Sequence, residues 1–103
     1  FAEAVRWDRM AADHGSADGL NSLGYRYKSG QGVEKDEAEA VRWYRKAAEL
    51  GDAAAQNNLG TCYAMGEGVE KDEAEAEKWF RKAADQGYPP AQRNLSRLHG
   101  IPA

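Results

Sequence analysis

The most reactive side chains in this sequence are Cys62, His14 and His99. A working cysteine nucleophile needs a base within hydrogen-bond reach, and nothing local to Cys62 supplies one. One cysteine forms no internal disulfide, and it offers a single ligand where structural zinc takes four. The pairs Gly30-x-Gly32 and Gly66-x-Gly68 could cradle a phosphate. A P-loop, however, continues into Gly-Lys-Ser/Thr at a helix start, whereas here an acidic Asp36 or Asp72 follows and repels phosphate. The acidic runs 34–39 and 70–77 lack the alternating Asp/Asn positions and closing glutamate of a calcium loop. They suit a solvated helix start, with negative charge at the positive end of the helix dipole. These residues predict no catalytic group, no cofactor and no metal.

The elements that hold them come from a repeat, the first feature to seek in any chain. Trp7, Trp43 and Trp79 stand 36 residues apart, and Gly15, Gly51 and Gly87 keep the same step. The segment Gly-Val-Glu-Lys-Asp-Glu-Ala-Glu-Ala occurs unchanged at 32–40 and 68–76, and 21 of 36 positions agree between 16–51 and 52–87. Each period reads as two helices. Helix A is expected at 17–29, 53–65 and 89–99, and helix B at 2–13, 37–50 and 73–86. In the middle copy Ala55, Gln56, Leu59, Gly60 and Tyr63 share one face at helical spacing. The resulting division is one domain over 1–103: a trailing helix B at 1–15, full units at 16–51 and 52–87, and a leading helix A with tail at 88–103.

Local chemistry marks the boundaries. Asp36 and Asp72, each with a glutamate three residues on (Glu39, Glu75), read as capping boxes. Gly51 and Gly87 suit the left-handed residue that ends a helix, and Pro89 and Pro90 fit a first turn. Helices of this length bury their apolar faces only by stacking on neighbours. Gly24 and Gly60 are expected to let another helix approach closely, with Trp43 and Tyr63 filling the volume beside them. On that assignment Trp43→Ala would cost roughly 3–5 kcal/mol.

Composition narrows the partners. The chain carries 14 basic and 17 acidic residues, a net charge of -3 and a pI near 5.4. Acidic and basic residues alternate, without the basic stripe of a nucleic-acid binder, so nucleic acid is not expected. No stretch approaches the roughly 20 apolar residues of a membrane span, so no membrane is expected. The unpaired cysteine leans toward a reducing compartment and leaves a periplasmic or secreted location open. Phe1 opens directly in a helical pattern, as in a piece excised from something longer.

The run Asn58-Leu59-Gly60, Tyr63, Gly66-Glu67-Gly68-Val69, Asp72, Ala76, Trp79-Phe80, Lys82-Ala83-Ala84 and Gly87 resembles the Sel-one-like repeat family, relatives in shape of the tetratricopeptide repeats. The resemblance runs over essentially the whole chain. It implies an all-α fold, a right-handed α-solenoid of antiparallel helix pairs, acting as a non-catalytic adaptor or scaffold that binds proteins. Departures cluster near the ends: Asp8 stands where later copies have Tyr44 and Phe80, Gly19 replaces Ala55 and Ala91, Ser96 replaces Gly60, and His99 replaces Tyr27 and Tyr63. Some members are described as β-lactamase-like. That chemistry wants Ser-x-x-Lys, and Ser16, Ser22, Ser29 and Ser96 are followed three residues on by Gly19, Tyr25, Gly32 and His99, so the hydrolase alternative finds no support.

In the architecture so implied, the A helices line a concave groove. Its successive rungs would be Asn21, Ser22 and Tyr25, then Asn57, Asn58 and Thr61, then Arg93, Asn94 and Arg97. The expected partner is an extended peptide or protein loop, with an acidic side chain or C-terminal carboxylate at the Arg93–Arg97 end, where guanidinium donors match a carboxylate. The alternative is head-to-tail self-association through apolar ends, Val5, Trp7 and Met10 on one side and Leu95 and Leu98 on the other.

Overall fold

The computed structural model describes residues 2–100; Phe1 and the tail 101–103 lie outside them. In order the helices are α1 (Ala2–Asp13), α2 (Ala17–Ser29), α3 (Glu37–Glu49), α4 (Ala53–Met65), α5 (Glu73–Asp85) and α6 (Pro89–Leu98), with no strand among the described residues. All six lie within about a residue of their expected bounds. They pack as a row of neighbours extending 41 × 24 × 19 Å, and the closest pairings are α2 with α3 and α4 with α5. In addition, α4 touches α6, one repeat on.

The caps explain why the helices stop where they do. Asp36 accepts from the backbone N–H of Glu39, and Asp72 from that of Glu75. The expected capping box is only half formed. The N–H of Asp36 donates to the carbonyl of Tyr27 at 2.8 Å and that of Asp72 to Tyr63 at 3.0 Å, so each A helix has already claimed the donor. Glu39, released from the box, accepts instead from Arg42 at 2.8 Å. Ser16 and Asp52 cap the A helices α2 and α4 in the same way, whereas α6 starts at Tyr88 without a side-chain cap. After α3, Gly51 turns left-handed at φ 93°, and the N–H of Asp52 returns to Ala47.

The core follows the repeat, with one correction to the aromatic assignment. Tyr44, not Trp43, covers Gly24, and Phe80 covers Gly60. A Cβ built at Gly24 would lie 2.5 Å from Tyr44 Cδ1, and one at Gly60 2.7 Å from Phe80 Cδ1. Tyr44 is 1% exposed and sits with Ala40, Val41, Ala47 and Ala48 on the buried side of α3. Spacings of four and three place positions 40, 44 and 47 in line, which turns the neighbouring Trp43 onto the flank. There it is half-buried, with Lys46 Nζ 4.8 Å from its ring centroid and Arg9 at 5.9 Å. Trp79, by contrast, is buried at 6% exposure, and Trp7 is 62% exposed. Tyr63 packs half-buried at the core's edge, and the volume beside Gly60 expected for it is taken by Phe80.

A second set of bonds ties each B helix to the A helix 18 residues on. Arg9 donates to the Tyr27 hydroxyl at 2.9 Å, and Arg45 donates to that of Tyr63. The third copy has His99 in the tyrosine's place. There Arg81 and His99 both turn to Glu77, at 3.2 and 2.6 Å. Glu77 stands where Val41 stands one repeat earlier, so two departures from the pattern answer each other. The pair of hydrogen bonds, from His99 first and then Arg81, holds the Glu77 carboxyl below its usual range.

Candidate functional site

The A helices α2, α4 and α6 present one common face, because positions spaced by one, three and four residues fall together on a helix. Two clefts open on it. The first, about 300 Å³, lies between α2 and α4 and is lined by Asn21, Ser22, Tyr25, Arg26 and Asn58. Tyr25 is 52% exposed there. Arg26 donates to Asp8 at 3.3 Å and to Gln31 at 2.9 Å, so Asp8, the outlier of its register, serves as that arginine's counter-charge.

The second cleft is larger, about 400 Å³, and runs between α4 and α6 toward the end of α2. Ala64, Met65, Phe80 and Leu98 give it an apolar lining, and Met65 is 66% exposed. Its polar members are Lys28, Thr61, Glu67, Asn94 and Arg97. Lys28 Nζ stands 3.5 Å from Glu67 Oε1, a buried oxygen that it pairs with by charge and that accepts no hydrogen bond. Arg97 is exposed.

Seven of the nine residues singled out from the sequence thus line a cleft: four in the first, and Thr61, Asn94 and Arg97 in the second. The other two do not. Asn57 is buried at 9% exposure between the clefts, and Arg93 is exposed on α6 one turn before Arg97 without lining either. The asparagines also do something the sequence reading missed. Asn58 Nδ2 donates to Asn21 Oδ1 at 3.0 Å, and Asn94 Nδ2 donates to Asn57 Oδ1 at 2.8 Å. Each bond spans 37 residues, one repeat plus one position, and joins adjacent A helices. Thr61 uses its hydroxyl proton on the carbonyl of Asn57 at 3.1 Å. Gln56, behind them, donates to the carbonyl of Ala48 and accepts from Gln86. The only sequence signal for the ladder is an Asn at one register position and an Asn at the next register position one repeat later.

The reactive residues lie apart. Cys62 is buried, and desolvation pushes its thiol up to about 11. His14 is exposed beside Gly15, and His99 is engaged by Glu77. Among the described residues, no three His, Cys, Asp or Glu side chains gather as metal ligands, and no helix is long and apolar enough to cross a membrane. Of the apolar ends, Trp7 and Met10 are exposed beside a small hollow they share with Glu3 and Arg6. Val5 is not exposed as expected; it turns inward and is buried. Leu95 and Leu98 are half-buried.

The family model described as Sel1 repeat matches residues 1–16, 17–52 and 53–88. Similar solved structures carry the same architecture. One is a protective antigen present in uropathogenic Escherichia coli strains and displaying an SLR fold: 44% identity over 94% of this chain and 22% of that one, with a TM-score of 0.87. The chain therefore spans less than a quarter of that antigen's length. A Sel1 repeat protein from Oxalobacter formigenes is 43% identical over 90% of this chain and 70% of its own, at a TM-score of 0.87. Helicobacter pylori cysteine rich protein B is 34% identical, covers 88% and 68% respectively, and scores 0.84. No curated protein sequence matches.

Proposed function

Since this chain belongs to the Sel1 repeat family, whose members generally act as protein-interaction scaffolds and are typically non-enzymatic, we propose that it binds an extended peptide segment of a partner along the A-helix face. One observation carries the reading: the two clefts on this face are lined largely by varying residues of the A helices, with Tyr25 exposed among polar groups in one and Met65 exposed on the apolar lining of the other. Partly exposed aromatic and methionine side chains within a polar rim are the usual anchors of protein recognition. Asn21, Ser22, Asn58, Thr61 and Asn94 supply hydrogen bonds, and Arg97 supplies a carboxylate partner. Asn57 acts from behind by fixing Asn94, and Arg93 adds positive charge beside the groove.

The test is peptide display panned against this chain and against three variants. Tyr25→Ala and Met65→Ala should reduce the recovered binding, while Lys35→Ala, in the α2–α3 loop, should not. Equal recovery by all of them would refute the reading. A second reading, end-to-end association through α1, is favoured by the exposure of Trp7 and Met10. Light scattering over a concentration series tests it: a mass that stays monomeric with the native Trp7 rules it out.

A further inference from the structure

We infer that the cleft between α4 and α6 takes the C-terminus of a partner chain whose last residue is large and apolar. The inference rests on the A-helix face being the docking surface, and it names the occupant by charge. Two cations and one anion line this cleft. Lys28 is engaged by Glu67 at 3.5 Å, whereas Arg97 has no partner among the described residues. One guanidinium is therefore available for one carboxylate, the pairing its planar fork matches best. The carboxylate of Glu67 on the same wall repels a second acid, so an acidic tract is a poor occupant. The apolar part of the lining comes from Phe80, Met65 and Leu98. A free chain end alone presents a single carboxylate and an apolar side chain on the same Cα, without another acid beside them.

The polar wall fits the remaining groups of such an end. Asn94 spends one amide proton on Asn57 and keeps a second proton and its own carbonyl oxygen. Thr61 donates to the carbonyl of Asn57 and keeps its lone pairs for a peptide N–H. Donor and acceptor thus face the last peptide unit, and Arg97 faces the terminus.

The experiment uses fluorescein-labelled hexapeptide pools, degenerate except at the last residue, which is Leu, Phe, Ser or Asp. Each pool is prepared as the free acid and as the C-terminal amide, and binding is read by anisotropy. The Leu and Phe acids should bind tightest. Amidation should weaken them about tenfold, the factor that loss of one charge-assisted hydrogen bond carries. Arg97→Gln should erase the difference between acid and amide, while Tyr25→Ala should weaken both forms alike. Arg97 is exposed, so an unchanged thermal melt for its variant is expected and confirms that the fold is intact. Amides binding as well as acids, or the Asp pool binding best, overturns the inference. Should peptides bind without regard to their ends yet lose affinity in Tyr25→Ala, only the inference fails and the A-helix face stands. If no pool binds at millimolar concentration, both fail.

Discussion

Gly60→Ala separates this core from an ordinary helix. In an exposed helix interior, alanine for glycine gains about 1 kcal/mol. Here the added Cβ would lie 2.7 Å from both Cδ1 and Cε1 of Phe80. Carbon atoms rest at about 3.5–4.0 Å, so the ring must withdraw by roughly 1 Å. Phe80 is 2% exposed and has little room to move. Overpacking of this kind costs about 1–3 kcal/mol. Subtracting the propensity gain leaves a net loss of about 1 kcal/mol, a fall in Tm of about 4–8 °C for a domain near this size. The decisive measurement is a double-mutant cycle with Phe80→Leu, followed by urea unfolding and far-UV circular dichroism. Leucine lacks the ring atoms at the contact, so in that background Gly60→Ala should turn neutral or stabilising, a coupling of about 1–2 kcal/mol. Gly60→Ala raising the midpoint in the native background would refute the close approach. So would equal effects in both backgrounds.

Three further outcomes are expected. Tyr44→Ala should cost about 3–5 kcal/mol, and Trp43→Ala clearly less because Trp43 lies half-buried on the flank; denaturant midpoints rank the two. Glu77 has a folded-state pKa below its ordinary 4.5, so its contribution is complete above that value and is lost as pH falls through the folded-state pKa. Glu77→Gln should therefore shallow the acid limb of the stability profile. Cys62, buried and with its thiol pushed up to about 11, should react with a disulfide reagent only at the rate of unfolding; rapid native-state labelling would contradict its burial.

The helices were legible because each boundary carries its own chemistry. Asp36 and Asp72 begin the B helices, Gly51 and Gly87 follow them, and the 36-residue register fixes all copies at once. The core was less legible where two aromatics adjoin. Trp43 and Tyr44 differ by one helical step of about 100°, and composition does not say which points inward. The register held a clue: the aromatic that recurs as Tyr44 and Phe80 faces Gly24 and Gly60. The half-formed capping boxes were illegible for a different reason. The carbonyls of Tyr27 and Tyr63 that take the Asp36 and Asp72 N–H groups arrive through the loop fold, which no local motif encodes. At the candidate site, spacing placed seven residues along two clefts. It did not reveal the apolar lining, because Phe80 comes from a B helix and Met65 stands at the end of α4.

The asparagine ladder has a further consequence. Both of its rungs run the same way, from the later helix back to the earlier one: Asn58 to Asn21, Asn94 to Asn57. The face consequently has a compass. For the peptide proposed on this face the two directions are therefore not equivalent, because it would meet the donors and acceptors of the rungs in a different sequence in each. The stagger of one residue per repeat also makes the ladder a counter. A shift of a whole 36-residue unit preserves the phase of the helix, while a single residue inserted ahead of an asparagine within its helix rotates that asparagine by about 100° and breaks its rung.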